Sequence, residues 1–138
     1  MEAGGGMNDK PHITYFHMGA WPLYVGFTKS RKAFAKEMKR LSCPGVAFVN
    51  PGANATMHTL VNDGTTTCII AFDKQKGRSL EQEAALIAHE AVHVAQELWA
   101  AIGEHQPGRE AEAYLVQQIV QCCLQEAWAS GRTRSSAP

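Results

Sequence analysis

From Leu80 to Ile102 the chain contains neither glycine nor proline, and Ala84, Ala85, Leu86, Ile87, Ala88, Ala91, Val92, Val94, Ala95 and Leu98 spread apolar side chains almost all the way round a helical wheel. A helix of this kind is stable only when other elements enclose it, so the rest of the fold has to supply its walls. Its ends are written locally. Ser79 followed by Gln82 makes a capping box, and Gly103 supplies the left-handed stop. A second helix starts near Pro107-Gly108 and runs to about Ser130, with Val116, Ile119, Val120, Cys123, Leu124, Ala127 and Trp128 at core spacing. So short a link between two long helices makes them an antiparallel pair.

The preceding half reads differently. His12 to Met18 and Leu23 to Phe27 are aromatic and β-branched, which predicts strands, and Thr28 to Leu41 has helical spacing through Ala33, Phe34, Met38 and Leu41. Ala55 to Val61 and Thr66 to Phe72 flank Asn62-Asp63-Gly64-Thr65, a tight hairpin turn. The first arm alternates, whereas Cys68-Ile69-Ile70-Ala71-Phe72 is apolar throughout, so at least one strand is well covered. Tyr15, Phe16, Trp21 and Tyr24 read as core packing. The expected fold is α+β: a small, mostly antiparallel sheet with one N-terminal helix and a C-terminal antiparallel helix pair. One domain should cover residues 12 to 130, with frayed ends at 1 to 11 and 131 to 138.

Composition excludes several classes. With 13 basic and 13 acidic residues in 138, bulk charge gives the chain no hold on nucleic acid or on an anionic membrane. The charge is nevertheless divided, because residues 1 to 78 sum to +5 and residues 79 to 138 to −5. Lys29, Arg31, Lys32, Lys36, Lys39 and Arg40 crowd one helix with only Glu37 against them, and a solvated face is the expected reading. No apolar run is long enough for a bilayer, and no secretory leader is visible, so a cytoplasmic location is expected. Cys43, Cys68, Cys122 and Cys123 lack paired metal spacing and read as reduced, mostly buried thiols.

The chemistry sits inside the first long helix, at His89-Glu90-Ala91-Val92-His93. Histidines four apart stand about one turn, ~6 Å, along one face, where both imidazoles reach a single Zn²⁺ at ~2.0 to 2.1 Å. Glu90 lies about 100° further round, poorly placed as a ligand of that ion and well placed as general base toward a water. Roughly 0.02 accidental matches to HExxH are expected in a chain of this composition. On a buried helix the pair would also cost several kcal/mol without a cation. Zinc sites that catalyse commonly have a third protein ligand. Glu110 and Glu112 on the second helix are the candidates, and since they differ by about 200° around it at most one faces the metal.

An HExxH helix, a loop and a second helix with a glutamate in an E-x-x-x-(D/N/Y) setting resemble the gluzincin clan of zinc metallopeptidases. That resemblance implies Glu110 as third ligand, because Tyr114 stands at its i+4 position, with Tyr114 as outer partner to the ligands. It implies peptide-bond hydrolysis by metal-activated water. It also implies a rim strand holding an extended peptide by β-addition, a place that Ile69, Ile70, Ala71 and Phe72 occupy in the order of the chain. Larger gluzincins often have Asp where Tyr114 stands. His58, Tyr114 and His105 are candidates for stabilising the oxyanion. More narrowly, Pro22 to Phe27, Ala55-Thr56-Met57-His58-Thr59, the HExxH helix and Glu110-Ala111-Glu112-Ala113-Tyr114 resemble small phage and prophage proteins, which places the chain in a host cytoplasm. The expected function is a zinc-dependent metallopeptidase acting on a peptide or protein. The alternative is a catalytically silent, zinc-stabilised phage module that binds a host protein. Nucleic-acid binding through Lys29 to Arg40 is a weaker third reading.

Overall fold

The computed structural model describes residues 12–74 and 77–129; the expected frayed segments 1–11 and 131–138 lie outside them, as does Ser130. Seven elements follow in order: β1 (Tyr15–His17), β2 (Leu23–Thr28), α1 (Arg31–Arg40), β3 (Ala55–Asn62), β4 (Thr65–Phe72), α2 (Leu80–Ile102) and α3 (Arg109–Ala127). The α+β architecture is as expected, a four-stranded sheet in the order β1-β2-β4-β3 with one helix before the hairpin and a helix pair after it. Two of the pairings are antiparallel, β1 with β2 and β3 with β4, and the central β2–β4 pairing is parallel.

Local signals place most boundaries. The Ser79 hydroxyl accepts from the Gln82 N–H while the Gln82 side chain accepts from the Ser79 N–H, and Gly103 ends α2 at φ +75°. Asp63 and Gly64 take φ values of +51° and +79°, so the hairpin closes with Asn62 opposite Thr65. Helix α1 begins later than its spacing implies because Thr28 still belongs to β2 and the Ser30 hydroxyl caps the Ala33 N–H. Strand β1 is shorter than expected. The chain turns tightly after it, with Gly19 at φ +62° and the Met18 N–H bonded to the Leu23 carbonyl.

Alternation along the strands feeds two cores. Val25, Phe27, Cys68, Ile70 and Phe72 face the helix pair and pack with Ile87, Ala91, Val94, Leu98, Leu115 and Ile119. Ile69 and Ala71 point the other way, onto Ala33, Phe34 and Met38 of α1 and Phe48. Strand β4 is therefore buried on both faces, the pattern of a central strand in a three-layer fold. Helix α2 lies under β3 and β4, and α3 lies under β2.

The expectation that α2 is enclosed all round is corrected by the structure. Its core-facing stripe is buried, while Ala85, His89, Val92, His93 and Gln96 are exposed. Alanine misleads here, because it favours a helix by propensity and costs little at a wet position.

A buried ion pair ties the layers together. Lys29, just after β2, donates to the Glu83 carboxylate of α2 at 2.8 Å, and the Trp128 indole at the end of α3 donates to the other oxygen at 3.1 Å. On the opposite face the Tyr15 phenol donates to the Glu37 carboxylate, which also takes two hydrogen bonds from Arg40. Burial, then the bond to Glu37, raises the Tyr15 phenol above its ordinary range, and the Arg40 bond holds the Glu37 carboxyl below its own. Replacing Glu83 by Gln leaves Lys29 buried without its counter-charge. Denaturant unfolding of that variant is expected to show a loss of about 3 kcal/mol or more, and an unchanged midpoint would mean that the pair carries no weight.

Candidate active site

The rotation of α2 decides which motif residues meet solvent. Ile87, Ala91 and Val94 are fully buried, so His89 and His93 emerge on the open side and Glu90 falls at the boundary, 7% exposed. Contrary to expectation the histidines are not buried and so do not demand a cation for their burial: both are exposed, and only the Glu90 carboxylate is buried. The two imidazoles stand together, with ring centroids 4.9 Å apart and planes 75° to each other. Two imidazoles holding one tetrahedral ion at ~2.0 to 2.1 Å place their centroids roughly 5 Å apart, so the spacing of the pair is one that a shared metal would require. His93 Nδ1 lies 2.9 Å from the Gln96 amide oxygen. An amide oxygen accepts, so in the neutral tautomer that this contact favours Nδ1 donates and Nε2 carries the lone pair that a metal ligand uses.

His89 and Glu90 line an open cavity of about 640 Å³ together with Asn54, Ala55, Gly77, Arg78, Gln82, Ala85 and Leu86. Its volume falls within the ordinary range of small-ligand and peptide side-chain pockets, ~300 to 1,000 Å³. Asn54 and Ala55 bring the start of β3 to the cavity, so an edge of the sheet borders it.

That placement corrects the expected substrate strand. Residues Ile69 to Phe72 are fully buried, and β4 is paired along its length with β2 on one side and β3 on the other. No backbone edge is left there for a peptide. The edge belongs to β3, which among the described residues pairs only with β4.

The remaining expected residues are scattered. Glu110 and Glu112 stand exposed on the first turn of α3. His93 lies well inside α2 and Glu110 at the loop end of α3, so antiparallel packing separates them by roughly 12 Å along the helix axes at ~1.5 Å per residue. Among the described residues no three His, Cys, Asp or Glu side chains are gathered closely enough to hold a metal ion. The donor set fits zinc as far as the histidine pair and is not completed by Glu110. Tyr114 is 65% exposed on α3. His58 bonds the Phe48 carbonyl and packs on Phe34, which puts it on the α1 face of the sheet, away from the cavity. His105 is exposed in the α2–α3 loop.

Sequence reasoning missed Asn54, Ala55, Arg78, Gln82 and Gln96. Gln96 and Gln82 were within reach, since residues three and seven apart on a helix share a face. Asn54, Ala55 and Arg78 depend on how the sheet and the turn before α2 meet.

The cysteines are free, with Cys68 and Cys123 buried and Cys43 and Cys122 partly so. Burial pushes the Cys68 thiol up to about 12, with the Thr59 hydroxyl pulling it down and Glu97 adding to the rise. Burial also raises Cys123 and, more mildly, Cys122. A metal ligand has to be a thiolate, so Cys68 and Cys123 are poor donors at neutral pH.

No family model, curated protein or solved structure matches the chain. No helix among the described residues is long and apolar enough to cross a membrane.

Mass spectrometry after brief iodoacetamide treatment of the native chain is expected to find Cys43 labelled first, and Cys68 and Cys123 untouched until denaturant is added. Early labelling of Cys68 would contradict this packing.

Proposed function

We propose that the chain is a zinc-dependent metallopeptidase of minimal gluzincin-like design, with Glu90 as general base and His89 and His93 as the metal-binding pair. The observation that carries this reading is a mostly buried carboxylate and an imidazole on the wall of one cavity, with a second imidazole 4.9 Å from the first and a sheet edge alongside. Zinc, when bound, supplies a Lewis acid that polarises the scissile carbonyl and acidifies a water. The Glu90 carboxylate accepts the proton of the attacking water and returns it to the leaving nitrogen. Its burial keeps competing water from solvating that charge. Strand β3 holds an extended peptide by strand addition through its free edge, with Asn54 and Ala55 at the cavity mouth.

The third donor is assigned to Glu110 on the gluzincin resemblance. The loop and the first turn of α3 would have to move toward the histidines to deliver it. The rival reading is a silent zinc-stapled phage module that binds a host protein, and the same separation weighs against it, because a structural zinc site needs a closed set of protein ligands. Against that rival stands the openness of the pair: His58, which would close a structural site, is held on the far face by the Phe48 carbonyl.

One assay separates the two. Zinc-loaded protein is incubated with a mixed peptide pool and the products are read by mass spectrometry. Hydrolysis is expected, and Glu90→Gln is expected to lower kcat by roughly 10²- to 10⁴-fold at unchanged zinc content. A zinc-loaded chain that leaves every peptide intact supports the module. Full turnover in Glu90→Gln removes Glu90 from the reaction.

A further inference from the structure

A second cavity, of about 510 Å³, lies on the other face of the sheet, between the end of α1 and the strands. Strand register explains why it exists. His17, Tyr24, Thr67 and Leu60 stand opposite one another across β1, β2, β4 and β3, and Tyr15, Gly26, Ile69 and His58 form a parallel row two residues along. Helix α1 covers the second row, where Ile69 packs on Ala33, Phe34 and Met38. It stops at Arg40, and the first row is left exposed or half-buried. Thr67 is the smallest side chain of that first row, so a hollow forms above it between Tyr24 and Leu60.

Two aromatic walls of the hollow are held from behind. The Tyr15 ring crosses Gly26 so closely that a Cβ there would come within 3.0 Å of it, and the Glu37 carboxylate fixes its phenol. Tyr24 is 40% exposed, not the core residue its aromatic neighbourhood suggests, and stacks on His17 with centroids 4.7 Å apart and planes 24° to each other. Rings already fixed lose little freedom when a third ring stacks on them. Charge in the lining cancels, because Arg40 donates to Glu37 through Nε at 2.9 Å and Nη2 at 2.8 Å. A guanidinium has five N–H groups, so these two bonds leave it donors for a further acceptor. Leu41 supplies an apolar wall. Mostly apolar and aromatic lining with a few polar groups, at a volume inside ~300 to 1,000 Å³, is the composition of a small-molecule site.

The geometry points to a second binding site, separate from the histidine pair, for an uncharged planar aromatic small molecule that stacks on Tyr24 and Tyr15 and offers Arg40 a hydrogen-bond acceptor. Neither zinc nor turnover enters this inference, so it stands or falls apart from the peptidase reading.

The test uses four probes of nearly one shape. Benzamide is neutral and flat, benzoate and benzamidine carry one negative and one positive charge, and cyclohexanecarboxamide keeps the amide but lacks the aromatic face. Each is titrated into the ¹⁵N-labelled full-length chain and followed by amide chemical shifts. Benzamide is expected to move the signals of Tyr24, Leu60 and Thr67 with a millimolar Kd, ordinary for so small a ligand. It should bind about fivefold tighter than cyclohexanecarboxamide, the worth of one aromatic stack, and neither charged probe should bind tighter than it. Tyr24→Leu is expected to remove that advantage, and Thr67→Phe, which fills the hollow, to abolish binding. His89→Ala should leave the benzamide affinity unchanged. Signals elsewhere in each variant's spectrum report whether the fold is kept, and if Thr67→Phe fails to fold, Tyr24→Leu decides. No shift at these residues, equal affinity for the saturated amide, tighter binding of either ion, or an aromatic advantage that survives Tyr24→Leu overturns the inference.

Discussion

The contact between α2 and the sheet governs everything else in this molecule. Ile87, Ala91, Val94, Ala95 and Leu98 turn inward onto Val25, Phe27, Cys68, Ile70 and Phe72, and no water reaches them. Burying several such side chains is worth ~1.5 to 3 kcal/mol each, so the helix has one rotational setting. Because side chains recur every 3.6 residues, that setting leaves His89 and His93 on the outer face and Glu90 at the seam. The three chemical side chains of the motif, His89, Glu90 and His93, are positioned by packing in which the apolar Ala91 between them takes part. A helix rotated by one residue in one direction would bury both imidazoles, and in the other it would strand the carboxylate in solvent.

Charge reinforces the arrangement in one place. The two oppositely charged halves of the sequence meet at Lys29 and Glu83, buried under the helix pair, with Trp128 completing the hydrogen bonding of the carboxylate. This contact joins the end of β2, the first turns of α2 and the last turn of α3, so it fixes α2 along its axis where the apolar seam fixes its rotation. The remaining cations of α1 behave as a wet face. Lys32, Lys36 and Lys39 are exposed, while Arg31 and Arg40 find partners in Asp73 and Glu37.

Short-range signals were legible in the sequence and long-range ones were not. The Ser79–Gln82 box, the Gly103 stop and the Asp63-Gly64 turn act within a few residues and stand where the sequence places them. Sheet order depends on which strands meet after a crossover, and here the sequence held a clue that pointed away from the rim-strand assignment. Cys68 to Phe72 is apolar on both faces, the mark of a central strand, whereas Ala55 to Val61 alternates as an edge does. Chain order alone points to Ile69 to Phe72 as the substrate strand, whereas that apolar run marks a strand paired on both sides. The identity of a third ligand was likewise beyond local reading. Glu110 satisfies a spacing, but two antiparallel helices joined at one end bring together residues equidistant from the loop, and Glu110 and His93 are not equidistant from it.

The central claim is that His89 and His93 share a divalent ion. Calorimetric titration of the purified full-length chain with zinc, repeated on His89→Ala and His93→Ala, addresses it most directly. The account predicts one ion bound per chain and its loss in either variant, with the fold intact by circular dichroism. A chain that takes up no zinc, or one in which both alanine variants bind as the parent does, would contradict it.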